Sequence, residues 1–226
     1  MKKQLLAFSL ALAFTSTSSI LHAQDSISAG KEKAASCISC HGDQGNSIVS
    51  TFPKLAEQHP SYIIKQLQAF KTGARKNPMM SAIAAGLSTD DMEDIAAYYA
   101  AQDISANVLP SQVDVANEDE DEEGITDTKK LTIEEVLAQG SDLYRNGDLK
   151  REVSACIACH GPLGEGNKPA GFPMIKSQHA DYLIQTLTDF KNDVRSNNPE
   201  NMMHMIARKM TIEEIKDVSY RLSMMK

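Results

Sequence analysis

The chain has 226 residues, of which 42% are hydrophobic and 5% aromatic, and its formal net charge is −7. An acidic protein is repelled by nucleic acid and by anionic lipid surfaces, so we exclude nucleic acid as a partner. The same charge is compatible with a protein partner that carries a basic patch.

The first 23 residues are typical of a secretory signal peptide that is removed on export. Lys2 and Lys3 give it a positive start, an apolar run follows from Leu5 to Phe14, and residues 21–23 (Leu-His-Ala) form a suitable cleavage site. The apolar run is too short to cross a bilayer, which takes about 20 residues. We therefore expect a mature chain that begins at Gln24 and is soluble. Without the two lysines, 23 basic side chains fall to 21 against 30 acidic ones, a net charge of −9.

Two copies of Cys-x-x-Cys-His are the most informative feature of the chain. This motif predicts covalent attachment of haem c, because two thiols three positions apart can each add to one vinyl group of the same porphyrin. The following histidine then lies under the iron and supplies its proximal ligand. The residues of the two motifs are Cys37, Cys40 and His41, and Cys156, Cys159 and His160.

Two other uses of a Cys-x-x-Cys motif fit less well. A zinc site would normally bring its two cysteine pairs within about 15–20 residues, whereas 115 residues separate Cys40 from Cys156. A redox disulfide would be expected near a strand–helix–strand pattern, and the sequence shows no convincing strand. We therefore predict two covalently attached haem c groups. Together with the signal peptide, they indicate the periplasm of a Gram-negative bacterium.

The mature chain is an internal repeat with an offset of 120 residues. Gln58-His59 matches Gln178-His179, and Phe52-Pro53 matches Phe172-Pro173. A period this long indicates two duplicated domains. We place the N-terminal domain at residues 24–102, an acidic linker at 103–130 and the C-terminal domain at 131–226. The linker carries six consecutive acidic residues, 118–123. Such a run tends to stay solvated, and we favour a spacer over a docking site.

The hydrophobic periodicity predicts an all-α fold in both halves. Each domain is expected to have a helix before its haem motif, a middle helix and a terminal helix. In the N-terminal domain we expect these helices from about Ser28, over 61–71 (ended by Gly73) and from Ser88 to about Ala101. In the C-terminal domain we expect them from about Ile133, over 181–191 and from Thr211 to about Met224. The terminal helices begin with capping-box patterns, Ser88 with Asp91 and Thr211 with Glu214.

An electron-transfer haem needs a second strong axial ligand, and methionine sulfur raises the reduction potential. The segment after each middle helix, predicted as a loop, contains the candidates, and the repeat pairs Met80 with Met203. We choose these two, with Met79 and Met202 as the fallback pair. Met205 and His204 also lie in the second segment. Because Ser81 occupies the position of His204 in the first half, we favour a supporting or surface role for His204.

Other repeated side chains have two interpretations at this stage. The proximal histidines need an acceptor for their second ring nitrogen, and the carbonyls of Pro53 and Pro173 are our candidates. A further set could bind haem propionates or could equally stabilise the loops. That set comprises Tyr62, Tyr182, Arg75, Arg195, Gln66 and the two Gln-His pairs.

The chain resembles the di-haem cytochrome c4 family over residues 24–225. The resemblance rests on both haem motifs and on the segments 52–55 (Phe-Pro-Lys-Leu), 62–67 (Tyr-Ile-Ile-Lys-Gln-Leu), 94–99 (Asp-Ile-Ala-Ala-Tyr-Tyr) and 170–173 (Ala-Gly-Phe-Pro). It implies two tandem class I cytochrome c domains related by an approximate two-fold axis, with iron ligated by His41 and Met80 and by His160 and Met203. The linker looks longer and far more acidic than in the family, which leaves close docking of the halves an open question.

The resemblance also implies a function. It describes a non-enzymatic periplasmic electron carrier of the respiratory chain, often associated with the inner membrane. Such a carrier takes electrons from a quinol-oxidising complex or a dehydrogenase and feeds a haem–copper terminal oxidase. We keep two alternatives: a cytochrome subunit of a dehydrogenase, such as a sulfide-oxidising flavocytochrome, and a di-haem peroxidase. The peroxidase would need one open iron site, which methionine candidates in both halves disfavour.

Overall fold

The computed structural model describes residues 24–109 and 131–226. The predicted signal peptide and residues 110–130 of the predicted linker lie outside the described residues. Each described half contains five helices with short 3₁₀ turns between some of them. In the first half these are α1 (24–33), α2 (Ile38–His41), α3 (Pro60–Thr72), α4 (Pro78–Ala85) and α5 (Thr89–Ala100). In the second they are α6 (Ile133–Asn146), α7 (Ile157–His160), α8 (Ala180–Lys191), α9 (Met202–Ala207) and α10 (Ile212–Ser223).

The all-α prediction is confirmed. In the described parts of the chain, β-pairing is limited to two isolated bridges, Asp148–Val153 and Asn167–Phe172. The predicted capping boxes begin α5 and α10, since Ser88 and Thr211 each accept from the backbone N–H three residues on. Gly73 ends α3 in the left-handed region, with φ of 78°, where glycine costs no steric strain.

The segments that carry the candidate methionines are helical, so the prediction of loops there was wrong. Asn77 caps α4 and Pro78 occupies its first turn, where the ring of proline is pre-organised for a helix and its missing N–H costs nothing. In the second half a 3₁₀ turn, Pro199–Asn201, leads into α9. Both helices are so short that their hydrophobic pattern did not distinguish them from loops in the sequence.

Each half has its own hydrophobic core, built where the terminal helix meets the middle helix. In the first half Ile63 and Leu67 of α3 pack with Ile95 and Tyr99 of α5. In the second, residues of α6, α8 and α10 pack together, and these include Leu143, Leu183, Ile215, Val218 and Leu222. The haem motif lies at the edge of each core, because Cys37 and Cys156 are half-buried against these clusters.

The two halves are docked directly on each other. Gln58 hydrogen-bonds the backbone of Met174, and Gln178 hydrogen-bonds the backbone of Lys54. These pairs are related by the 120-residue offset, so the interface repeats the internal symmetry of the chain. The start of the predicted linker crosses the same region, where Asn107 donates to three carbonyls of the second half. The docking question raised by the long acidic linker is thereby answered in favour of close contact.

Candidate haem sites

The first haem motif is a single turn of helix. The backbone N–H of His41 donates to the carbonyl of Cys37 at 2.9 Å, which closes the turn and places both cysteines beside the histidine. The thiols of Cys37 and Cys40 are half-buried and form no disulfide. Cys156 and His160 repeat this hydrogen bond at 2.9 Å in the second half. Both motifs therefore present two thiols and one imidazole from the same turn.

Both motif histidines are buried and held by a proline carbonyl. Nδ1 of His41 lies 2.9 Å from the oxygen of Pro53, and Nδ1 of His160 lies 2.9 Å from the oxygen of Pro173. A carbonyl can only accept, so Nδ1 carries the proton in each ring and Nε2 is left with a free lone pair. The predicted acceptors are confirmed. Burial lowers the pKa of both histidines, which favours the neutral ring that binds a metal.

The donor set of each motif fits haem c better than the alternatives. Unbridged thiols on one helical turn can bond the vinyl groups, and a buried neutral imidazole with a free Nε2 can ligate iron. Among the described residues no group of three or more His, Cys, Asp or Glu side chains could hold a metal ion. A zinc site formed by cysteine and histidine side chains is therefore not assembled in this part of the molecule.

In the first half the structure separates Met80 from Met79. Met80 packs against the hydrophobic core that also receives Cys37, whereas Met79 is 53% exposed. The backbone N–H of Met80 donates to Oδ1 of Asn77 at 2.9 Å, which fixes the first turn of α4. This arrangement favours Met80 over its neighbour as the side chain directed inward.

In the second half Met203, which the sequence repeat pairs with Met80, is the second residue of α9. Its backbone N–H donates to Oδ1 of Asn198, five residues earlier, at 2.8 Å, whereas Asn77 lies three residues before Met80. Met205 is 46% exposed. Nδ1 of His204 lies 2.8 Å from the carbonyl oxygen of Phe190 on α8, which ties this ring to the backbone and favours a supporting role. Met202 and Met203 are both half-buried.

The two asparagines that bind the backbone of these methionines were not predicted from the sequence. Both stand in an Asn-Pro dipeptide, at 77–78 and 198–199, just before the methionine segment. Because proline favours the first turn of a helix and asparagine favours the N-cap, this repeated dipeptide was a usable signal. It would also have indicated α4.

The repeated arginines and tyrosines lie at the domain interface and bond across it. Nη2 of Arg75 donates to the hydroxyl of Tyr182 at 3.1 Å, and Nη2 of Arg195 donates to the hydroxyl of Tyr62 at 2.9 Å. Gln66 accepts from both arginines at 2.9 and 3.0 Å. The sequence analysis had left propionate binding and loop stabilisation open, and the structure adds a third role, domain docking.

Two arginine charges, those of Arg75 and Arg195, meet at this interface. Neither Arg75 nor Arg195 forms an ion pair with a described carboxylate, and Arg195 is buried. Burial alone raises the pKa of Tyr182, but the charges of Arg75 and Arg195 outweigh it and lower this pKa below its usual value. Such a site suits carboxylates, and haem propionates are carboxylates.

No helix in the described ranges 24–109 and 131–226 is long and apolar enough to cross a membrane.

Comparisons with known proteins agree with the geometry. The family model for cytochrome c matches residues 27–101 and 137–222. Cytochrome c4 of Thiocapsa roseopersicina is 40% identical over 193 residues, which cover 84% of this chain and 88% of that protein. The thiosulfate dehydrogenase electron acceptor of Stutzerimonas stutzeri (strain A1501) is 34% identical over 187 residues, 82% of this chain and 77% of that protein. The crystal structure of reduced recombinant cytochrome c4 from Pseudomonas stutzeri superposes with a TM-score of 0.75 at 34% identity, over 88% of this chain and 98% of that one.

Proposed function

Since the chain belongs to the cytochrome c4 family of di-haem electron-transfer proteins, we propose that it is a periplasmic carrier between respiratory-chain components that delivers electrons towards a haem–copper terminal oxidase. It binds two covalent haem c groups, one at Cys37 and Cys40 and the other at Cys156 and Cys159. Each bound haem c supplies one iron that can hold or release a single electron. The signal-peptide pattern of residues 1–23 supports the periplasmic location.

We assign the iron ligands to His41 and Met80 in the N-terminal domain (24–102) and to His160 and Met203 in the C-terminal domain (131–226). One observation carries this assignment. In both halves the proximal ring is bonded through Nδ1 to a proline carbonyl, and the methionine N–H is bonded to an asparagine side chain, three residues earlier at Met80 and five residues earlier at Met203. A methionine directed at each iron would leave neither iron with an open site, which favours an electron carrier over a peroxidase, since a peroxidase needs one.

The ligand assignment is tested by the optical spectrum of the oxidised holoprotein. We expect a sulfur-to-iron charge-transfer band in the far red with the strength of two His/Met haems. Met80→Ala and Met203→Ala should each remove half of it, because each deletes one Fe–S bond. Met79→Ala and Met202→Ala are the matched controls and should leave the band intact.

A half-strength band or a high-spin signal in the unmodified protein would contradict the proposal. Rapid turnover of hydrogen peroxide would then point to the di-haem peroxidase. Loss of half of the band in Met202→Ala, with the full band kept in Met203→Ala, would move the second ligand by one residue and leave the electron-carrier function intact.

A second function is favoured by the similarity to the thiosulfate dehydrogenase electron acceptor of Stutzerimonas stutzeri. In that case the protein would take electrons from a sulfur-oxidising dehydrogenase. The dehydrogenase would be a separate upstream partner, or this protein would be its cytochrome subunit. Stopped-flow reduction by a purified thiosulfate dehydrogenase, compared with reduction by a quinol-oxidising complex, separates the two. The faster donor at equal concentration identifies the upstream partner.

Retention of the protein on inner-membrane vesicles would show peripheral membrane association.

A further inference from the structure

A single peptide group links the proximal histidine of the first half to the second half. The carbonyl of Pro53 accepts from Nδ1 of His41 at 2.9 Å. The N–H of the same peptide group belongs to Lys54, and it donates to Oε1 of Gln178 at 2.9 Å. Gln178 belongs to the other domain. The imidazole is therefore connected across the interface through one amide.

The second half repeats this connection with the roles exchanged. The carbonyl of Pro173 accepts from Nδ1 of His160 at 2.9 Å. The N–H of the same peptide group belongs to Met174, and it donates to Oε1 of Gln58 in the first domain at 3.0 Å. The chain thus carries two copies of one relay, a hydrogen-bonded series of histidine, peptide group and glutamine of the other domain. The two copies cross the interface in opposite directions.

Both glutamines are held rigidly in this position. Nε2 of Gln178 donates to the carbonyl of Lys54 at 2.9 Å, and Nε2 of Gln58 donates to that of Met174 at 2.8 Å. Each Oε1 also accepts from the next backbone N–H of its own chain segment, that of His179 or His59. Both side chains are 7% exposed. Since a backbone N–H can only donate, the partners leave one orientation for each side-chain amide.

This geometry bears on the iron because hydrogen bonds in a chain polarise one another. An amide whose N–H donates to a strong acceptor has a more basic carbonyl oxygen. That oxygen then draws the Nδ1 proton of the histidine more strongly, and the ring becomes a better electron donor through Nε2. A more strongly donating axial ligand stabilises ferric iron and lowers the reduction potential.

We propose that Gln178 tunes the potential of the N-terminal haem and Gln58 that of the C-terminal haem. Each acts as a positioning residue, through the proline carbonyl of the opposite domain. The inference rests on the proposed ligation by His41 and His160. It goes further, since it makes domain docking part of the electronic environment of both haems.

The test uses the holoprotein with Gln178→Met, which keeps the length of the side chain and removes the acceptor. Gln178→Asn, which keeps the amide but is too short to reach, provides a second variant if the first does not assemble. Both should raise the midpoint potential of the N-terminal haem and leave the C-terminal one unchanged. In the reduced protein, the Nδ1 proton of His41 should shift upfield and exchange faster with solvent, while that of His160 should not.

Gln58→Met and Gln58→Asn are the matched controls, with the opposite expectation: only the C-terminal haem and His160 should respond. If each variant changes the haem of its own domain, both haems equally or neither, the relay is refuted. If the unmodified protein lacks two His/Met spectra, the proposed ligation fails instead. The two failures are therefore distinguishable.

Discussion

At the residue scale, Asp217 shows how the fold places a carboxylic acid where its charge is unfavourable. It is buried on α10, and α6 packs against α10. Burial is the main cause that raises the pKa of Asp217 to about 6, with help from Glu213 and Glu214 on the same helix. A carboxyl whose pKa rises on folding stabilises the fold only while it is protonated. Its contribution is complete below about pH 4 and is lost as the pH rises through about 6.

We predict that Asp217→Asn increases the free energy of unfolding at neutral pH, because the amide removes a buried charge. The shift of the pKa to about 6 corresponds to at most about 3 kcal/mol, and residual hydration reduces this to about 1–2 kcal/mol. Denaturant unfolding of the holoprotein between about pH 4 and 8 measures it. The gain should grow up to about pH 6 and then stay constant. Asp142→Asn, at an exposed position on α6, is the control. An equal gain at pH 4 would contradict the prediction.

Residue types with fixed chemical roles could be assigned from the sequence. The spacing of Cys37, Cys40 and His41 dictates haem attachment, and the offset to Pro53 indicated the acceptor for the ring. The choice between Met79 and Met80 was weaker, because either sulfur lies in a suitable segment. It depends on which side chain turns inward, and only the start of α4 at Pro78 settles which one packs on the core.

At the element scale, a glycine in the first helix of each domain allows that helix to cross the last one closely. A Cβ on Gly30 of α1 would lie 1.9 Å from the carbonyl oxygen of Asp94 on α5. A Cβ on Gly140 of α6 would lie 2.1 Å from the carbonyl oxygen of Asp217 on α10. Both obstacles are backbone atoms within packed helices, so neither can move aside without shifting a helix.

We predict that Gly140→Ala destabilises the C-terminal domain by about 1–3 kcal/mol, the usual cost of overpacking. This loss should exceed the gain of up to about 1 kcal/mol in helix propensity. Thermal unfolding of the holoprotein, followed by circular dichroism, measures the change. Gly86→Ala is the matched control, because its Cβ would meet only the Ile83 oxygen at 3.9 Å. If the melting temperatures of both variants equal or exceed that of the parent protein, the close crossing of the helices does not constrain the fold.

The long helices were predictable, whereas the short ones were not. Helices α3, α5, α8 and α10 carry apolar residues at helical spacing, and two of them begin with capping boxes. Helices α4 and α9 span eight and six residues, which is too short for periodicity to stand out. Most of the stability of helices this short comes from tertiary contacts, and here these are contacts with α3 and α8.

At the scale of the whole molecule, the domains dock through hydrogen bonds more than through ion pairs. The two glutamines pair with backbone groups, and the two arginines pair with tyrosine hydroxyls. One cross-domain ion pair, between Lys176 and Glu57 at 2.9 Å, is present in the described residues. The glutamine bonds join neutral partners, and the bonds of the arginines are partly buried, so salt weakens both much less than it weakens exposed charge pairs.

We therefore predict that the holoprotein keeps one compact shape despite its acidic linker. Its radius of gyration, measured by small-angle X-ray scattering, should be the same at roughly 10 mM and 1 M salt, where the Debye length falls from about 30 Å to about 3 Å. Glu57→Gln, which removes only the ion pair, should behave like the parent. The double variant Gln58→Met/Gln178→Met should expand. Expansion of the parent at low salt would show that charge repulsion controls docking.

The sequence by itself determined the chemistry of this protein: two haem c groups, two duplicated helical domains and a proximal histidine held by a proline carbonyl. The haem motifs and the proline acceptor involve residues that are close together in the chain, and the duplication is visible when the two halves of the sequence are compared. Only the tertiary structure decided that Gln58, Gln178, Arg75 and Arg195 meet the opposite domain. Their partners lie more than 100 positions away along the chain, and such contacts depend on how two folded surfaces match. No local pattern encodes that match.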